Sequence, residues 1–174
     1  MERYTKTAIL IHWLTALLII AAFTLGLVMT DIPGLTPTKL KYYSWHKWMG
    51  VTVLALAVIR VLWRKANRPP AHPASMSALQ AKAADGMHYF LYFLIFAVPI
   101  TGYLYTTAAG VPVVYLGLFQ IPSLFAAEPA LKEILKPVHY WLNMIMAAAV
   151  AAHVLAALKH HFIDRDSVLK RMLP

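Results

Sequence analysis

The sequence predicts an all-α membrane protein: one domain over residues 1–174, a four-transmembrane-helix bundle with both termini cytoplasmic. Three observations carry this expectation. Hydrophobic residues make up 60% of the chain and charged residues 13%, with positive mean hydropathy, which is too little polar surface to clothe a soluble globule. Four apolar runs each approach the ~20 residues that a helix needs to cross ~30 Å of hydrocarbon. Eleven of the 16 Lys and Arg fall on one side of those runs, which the positive-inside rule assigns to the cytoplasm.

The first run extends from Ala8 to Met29. It exceeds an ordinary signal-peptide core and has no convincing small-residue cleavage site, so it reads as a retained span. The second runs from Trp45 to Trp63, the third from Met87 to Ala109 and the fourth from Val138 to Leu158. As helices, all four satisfy their own backbone polar groups in lipid. Arg3, Lys6, Arg60, Arg64, Lys65, Arg68, Lys82, Lys159, Arg165, Lys170 and Arg171 lie on the inner side; Lys39, Lys41, Lys47, Lys132 and Lys136 lie on the outer. Trp45, Trp48, Trp63 and Trp141 sit near span ends, as interfacial aromatics do. The Pro- and Arg-rich stretch Arg64 to Ser77 is expected to be a cytoplasmic connection. The outer stretch Val111 to Pro137, with Pro112, Pro122, Pro129 and Pro137, is expected to carry a short interfacial helix. No internal repeat occurs at a fixed period.

Composition also excludes chemistry. The chain has no cysteine, which rules out disulfides, thiolate iron–sulfur clusters, Cys-ligated zinc and covalent c-type haem. Its +9 net charge is spread between and beyond the apolar runs instead of forming a readout stripe, so nucleic acid is not an expected partner.

The eight histidines carry the chemistry, because ionisable groups inside spans are costly and usually functional. His12 lies near the inner start of the first span, His46 near the outer start of the second and His88 near the inner start of the third. His139 and His153 occupy the outer and inner parts of the fourth. Fourteen residues of helix leave two rings about 40° apart around the axis and roughly 21 Å apart along it. One face of the fourth helix can therefore ligate two stacked haems. His46 is the outer partner for His139, while His12 and His88 are both inner candidates for His153.

Gly26 stands fourteen residues after His12 and Gly102 fourteen after His88, opening space at the outer level. Arg60 stands fourteen after His46, on the face where it would neutralise an inner haem propionate or, equally well, snorkel into the headgroups. His160 continues the His139–His153 face and is a candidate contact for a propionate or a quinone carbonyl, with plain solvation as the alternative. Any one histidine alone reads equally well as a helix linker or proton relay. Zinc fits less well, since the histidines sit in separated layers without nearby carboxylates. Axial histidines holding haem in a bundle core match the joint pattern. Met29, Met49, Met144 and Met146 read as packing, and His72, between Pro70 and Pro73, as a solvated loop residue.

With these residues in view, the chain resembles the prokaryotic cytochrome b561 family, related to the haem subunits of membrane hydrogenases and formate dehydrogenases. The likeness rests on Ile11-His12-Trp13-Leu14, on Trp45-His46-Lys47-Trp48-Met49-Gly50, and on Met87-His88-Tyr89 with Val98-Pro99-Ile100-Thr101-Gly102. Val138-His139-Tyr140, Ala152-His153 and Lys159-His160-His161 complete it. The resemblance implies two haem b groups ligated by histidine pairs: His12 with His153 on the cytoplasmic side, and His46 with His139 on the periplasmic side. His88 then falls beside a haem or at a quinone site.

One family member is a superoxide oxidase, so the resemblance further implies electron transfer across the bacterial inner membrane from superoxide to ubiquinone, an oxidoreductase of the superoxide:quinone type. Lys39, Lys41, Lys47, Lys132 and Lys136 outnumber Asp31, Glu128 and Glu133 on the outer side, which suits a small anion. With both axial positions occupied, transfer would be outer-sphere. A haem-bearing anchor subunit serving a dehydrogenase or a periplasmic redox protein is the second expectation. A non-redox transporter is the third, and it lacks the paired broken helices of such proteins.

Overall fold

The computed structural model describes residues 2–73 and 75–174. Four long helices dominate: α1 (Lys6–Asp31), α2 (Pro37–Ala66), α3 (Ala78–Ala108) and α4 (Pro129–Phe162). Each outruns its apolar stretch because a capping side chain or, for α4, a first-turn proline, and not hydropathy, marks its start. Thr5 accepts the Ala8 amide at the head of α1 and Thr36 the Lys39 amide at the head of α2. Ser77 and Gln80 form a reciprocal capping box on α3. Pro37 and Pro129 occupy first-turn positions, where the missing N–H costs nothing. The helices hold 26, 30, 31 and 34 residues, or about 39–51 Å at 1.5 Å per residue.

α1, α3 and α4 are long and apolar enough to cross a membrane. α2 carries Lys39, Lys41 and Lys47 toward its start and Arg60, Arg64 and Lys65 toward its end, with an uncharged stretch from Trp48 to Ile59 between them. Both termini meet at one end of the bundle, called here the near end. The Tyr4 amide donates to the Arg171 carbonyl at 3.3 Å, Trp13 Nε1 to the Met172 carbonyl at 2.8 Å, and the Arg3 guanidinium to the Leu173 carbonyl. Thr5 Oγ1 also accepts Trp63 Nε1 at 2.9 Å, tying the start of α1 to the end of α2.

The connection from Val111 to Pro137 differs from expectation. It contains no separate interfacial helix; it forms an antiparallel hairpin, β1 (Val113–Tyr115) and β2 (Phe119–Ile121), and α4 begins at Pro129. The β-branched pair Val113-Val114 followed by a glycine-containing turn favours strands.

Helices pack as α1 on α2, α2 on α3 and α3 on α4; among the described residues α4 does not pack along α1 or α2 in the same way. The tight core of Ala57, Leu94, Ile95, Met146 and Ala149 sits at mid-bundle. Met146 is seven residues from both His139 and His153 on α4. The core therefore separates two histidine levels, and the standoff between α4 and the first two helices leaves a slot.

Candidate functional site

At the far end, His46 on α2 faces His139 on α4 with ring centroids 6.3 Å apart. His46 Nδ1 lies 2.9 Å from the Ala22 carbonyl of α1. A carbonyl can only accept, so Nδ1 carries the proton and Nε2 keeps its lone pair. His139 repeats the arrangement: its Nδ1 lies 3.1 Å from the Val98 carbonyl of α3, with Thr101 Oγ1 at 3.2 Å. Backbone carbonyls holding Nδ1–H are the usual means of presenting Nε2 to a metal. Asn143, one turn along α4, donates Nδ2 to the His139 carbonyl at 2.7 Å and stands 3.2 Å from Nε2.

Two glycines make room for these rings. A Cβ at Gly102 would lie 2.8 Å from His139 Cε1, and one at Gly26 would lie 3.3 Å from His46 Cε1. The space opened at this level is thus taken up by the imidazoles themselves. Between them a cavity of about 700 Å³, within the ~300–1,000 Å³ range of cofactor pockets, extends from Lys47 and His139 down to Val150. Its walls are chiefly apolar side chains from all four helices, and hairpin residues Val113 and Ile121 also line it.

At the near end, His12 on α1 and His153 on α4 have centroids 6.4 Å apart, while His88 on α3 lies 5.5 Å from His153. An imidazole nitrogen sits about 1.1 Å from its ring centroid and a metal–imidazole bond is about 2.0 Å, so two rings sharing one axial metal are about 6.2 Å apart. His46–His139 and His12–His153 match that span, and His88–His153 is shorter. His12 Nδ1 is buried without a hydrogen-bond partner, a deficit that a ligand at this ring would relieve.

Arg60 Nε donates to the Tyr92 hydroxyl at 3.1 Å, and the guanidinium carbons of Arg60 and Arg64 lie 5.4 and 5.8 Å from the Tyr92 ring centroid. With Tyr4, His88 and Met172 they line a small cavity of about 50 Å³. Among the described residues neither arginine is ion-paired. Burial raises the pKa of the Tyr4 phenol, against the opposing pull of Arg64 and Arg60, so it faces this cavity neutral.

His160, at the end of α4, is engaged elsewhere. Its Nδ1 lies 2.6 Å from Asp166 and 3.2 Å from Asp164, leaving Nε2 for any further contact. Lys159 Nζ is 2.6 Å from Asp164, so this carboxylate already has a cationic partner. His72 lies 3.1 Å from Asp85 in an exposed pair.

A family model described as prokaryotic cytochrome b561 matches residues 3–174. The chain belongs to the prokaryotic cytochrome b561 family. It is therefore an integral membrane protein of an electron-transfer family, and the family implies b-type haem. It is 38% identical to cytochrome b561 homolog 2 of Escherichia coli K12 over 172 residues, covering 99% of this chain and 92% of that one. It is 31% identical to cytochrome b561 homolog 1 of the same organism over 175 residues, covering 100% and 98%. It is 30% identical over 178 residues to a Yersinia pestis protein named probable superoxide oxidase CybB, covering 99% and 97%.

For a b561 chain the residues fit the cofactor: facing imidazoles at metal-sharing separation at both levels, an apolar slot, and at the far end Nε2 atoms presented by Nδ1–H bonds. Several supporting groups escaped the sequence analysis. Arg64 follows Arg60 by one turn and Asn143 follows His139 by one turn, so helical periodicity was available as a signal for both. The carbonyls of Ala22 and Val98 carry no side-chain signal at all.

Proposed function

We propose that this b561 protein holds two haem b groups, one between His46 and His139 and one between His12 and His153, and transfers electrons from superoxide to ubiquinone across the bacterial inner membrane. The carrying observation is the pair of imidazole couples, 6.3 and 6.4 Å wide, joined by one face of α4. In this proposal α2 is the fourth span, the near end with its basic residues is cytoplasmic and the far end is periplasmic. His46 with His139 and His12 with His153 would hold the haems, and each haem, when bound, would supply a one-electron carrier.

Superoxide is an anion, and the far end is built to attract one. Lys39, Lys41 and Lys47 have no acidic partner among the described residues. Lys47 adjoins His46, lines the larger cavity and reaches the Pro112 carbonyl at 3.2 Å. Such charge raises the encounter rate of a small anion. The net reaction balances as two superoxide ions losing one electron each to give two dioxygen, while one quinone takes both electrons and two protons to give quinol. At the near end, Arg60 and Arg64 supply unpaired guanidiniums for haem propionates, and His88 and His160 supply ring nitrogens within reach of a quinone site.

Removing a cation stabilises the oxidised over the reduced form of its neighbour, so Arg64→Gln is expected to lower one haem midpoint potential and leave the other unchanged; a redox titration of the two haems reads this out. The function itself is tested in liposomes by generating superoxide outside and following ubiquinol. Superoxide-dependent quinol formation that disappears in His153→Ala is expected. Reduction of the haems by quinol without any turnover of superoxide would direct the assignment to an anchor subunit for another redox protein.

A further inference from the structure

The hairpin β1–β2 is not accounted for by ligation. From Val111 to Ala127 the chain holds no Asp, Glu, Lys or Arg, an unusual composition for a solvated connection. Its strands alternate. Val113 and Ile121 pair with each other and turn inward to wall the larger cavity. Val114 and its partner Gln120 turn outward, Val114 with 38% of its surface exposed, and Leu116, Leu118 and Phe119 at and beside the turn stand exposed by 49%, 79% and 57%. At the turn, Leu116 and Gly117 have φ of 52° and 72°, closed by the Leu118 amide on the Tyr115 carbonyl at 2.9 Å. Both central positions therefore require the left-handed backbone of a tight hairpin turn, where Asn or Gly is usual. A leucine stands there instead, projecting an apolar side chain from the tip.

Depth completes the picture. Trp48 Nε1 donates to the Val114 carbonyl at 2.7 Å, and Thr52 Oγ1 lies 2.9 Å from the Tyr115 hydroxyl. Both partners lie beyond His46 on α2, within the uncharged stretch Trp48–Ile59. The hairpin thus leans on the flank of the helices at the level of the far histidine pair and does not sit above the bundle as a solvated cap. Its strand pairing and the Trp48 and Thr52 bonds meet polar groups that hydrocarbon could not.

We propose that the outward face of this hairpin is buried in the outer leaflet, at the headgroup–acyl boundary, so that lipid supports the wall of the larger cavity. The inference rests on the membrane-spanning reading of α2. The occupant is lipid because the face continues the apolar belt of the helices and offers no charge or hydrogen-bonding side chain, Gln120 apart, for a protein partner to recognise.

The chain has no cysteine, so a single introduced thiol takes a fluorophore uniquely. L118C is compared in liposomes with L79C, equally exposed at 79% but at the near end of α3, and with L17C on α1. Blue-shifted emission at L118C, quenched more by lipid-borne nitroxide than by aqueous iodide and opposite to L79C, is expected. Iodide quenching dominant at L118C, with L17C still quenched by lipid, would overturn the proposal while leaving the spans intact. Shielding of L118C from both quenchers would also overturn it, indicating coverage by protein. Loss of lipid quenching at L17C as well would instead bring down the membrane reading on which it rests.

Discussion

Replacing either member of a histidine couple by alanine is expected to remove one haem and leave the other. His46→Ala or His139→Ala should lose the far-end haem, and His12→Ala or His153→Ala the near-end haem, so that haem content falls from two per chain to one. The two couples share α4 but not their partners: His46 comes from α2 and is held by α1 through Ala22, while His12 comes from α1. Between the levels lies the close-packed core around Met146 and Leu94, which keeps the loss at one level from propagating to the other. His88→Ala is the informative contrast. Its 5.5 Å approach to His153 is too short for a shared axial metal, so this variant should keep both haems. The pyridine haemochrome assay and the reduced-minus-oxidised spectrum measure these outcomes directly.

The second large effect is expected at a residue that touches no ligand chemistry. In Gly102→Val the new Cβ would sit 2.8 Å from His139 Cε1 and 3.3 Å from Nδ1. A flexible side chain would swing away, but this ring is tethered by the Val98 carbonyl and bracketed by Thr101 and Asn143. Overpacking of this kind costs about 1–3 kcal/mol, and the ring can relieve it only by surrendering the bond that orients Nε2. Gly102→Val should therefore lose the far-end haem while His153 and its partner keep theirs. At Gly26 the approach is 3.3 Å, which a small ring shift absorbs, so Gly26→Ala should retain both haems with an altered far-end potential. Haem content and a redox titration of the two variants separate these cases.

Much of this architecture is legible in the sequence because lipid imposes simple rules. Apolar runs mark the helices, and the chain cannot hide an ionisable residue in one of them without reason, which singles out His12, His46, His88, His139 and His153. Helical geometry alone places His139 and His153 on one face. What spacing could not decide was the partner of His153, since His12 and His88 start their helices at similar depth; that question turns on tenths of a nanometre across the bundle. The hairpin was missed because its turn, Leu116-Gly117, lacks the Asn-Gly signature, and the proline-punctuated stretch reads as a short interfacial helix. The Ala22 and Val98 carbonyls were invisible for a more basic reason: every residue has one, and only the packing of α1 on α2 and α3 on α4 selects these two.

The central claim is that the chain carries two haems, each between two imidazoles. The most direct test is the haem-to-chain ratio and the low-temperature electron paramagnetic resonance spectrum of the oxidised wild-type protein purified with adequate haem supply. Two low-spin b haems per chain, with no high-spin signal, is the predicted result. One haem, none, or a high-spin centre with an open axial position would contradict the paired-histidine account.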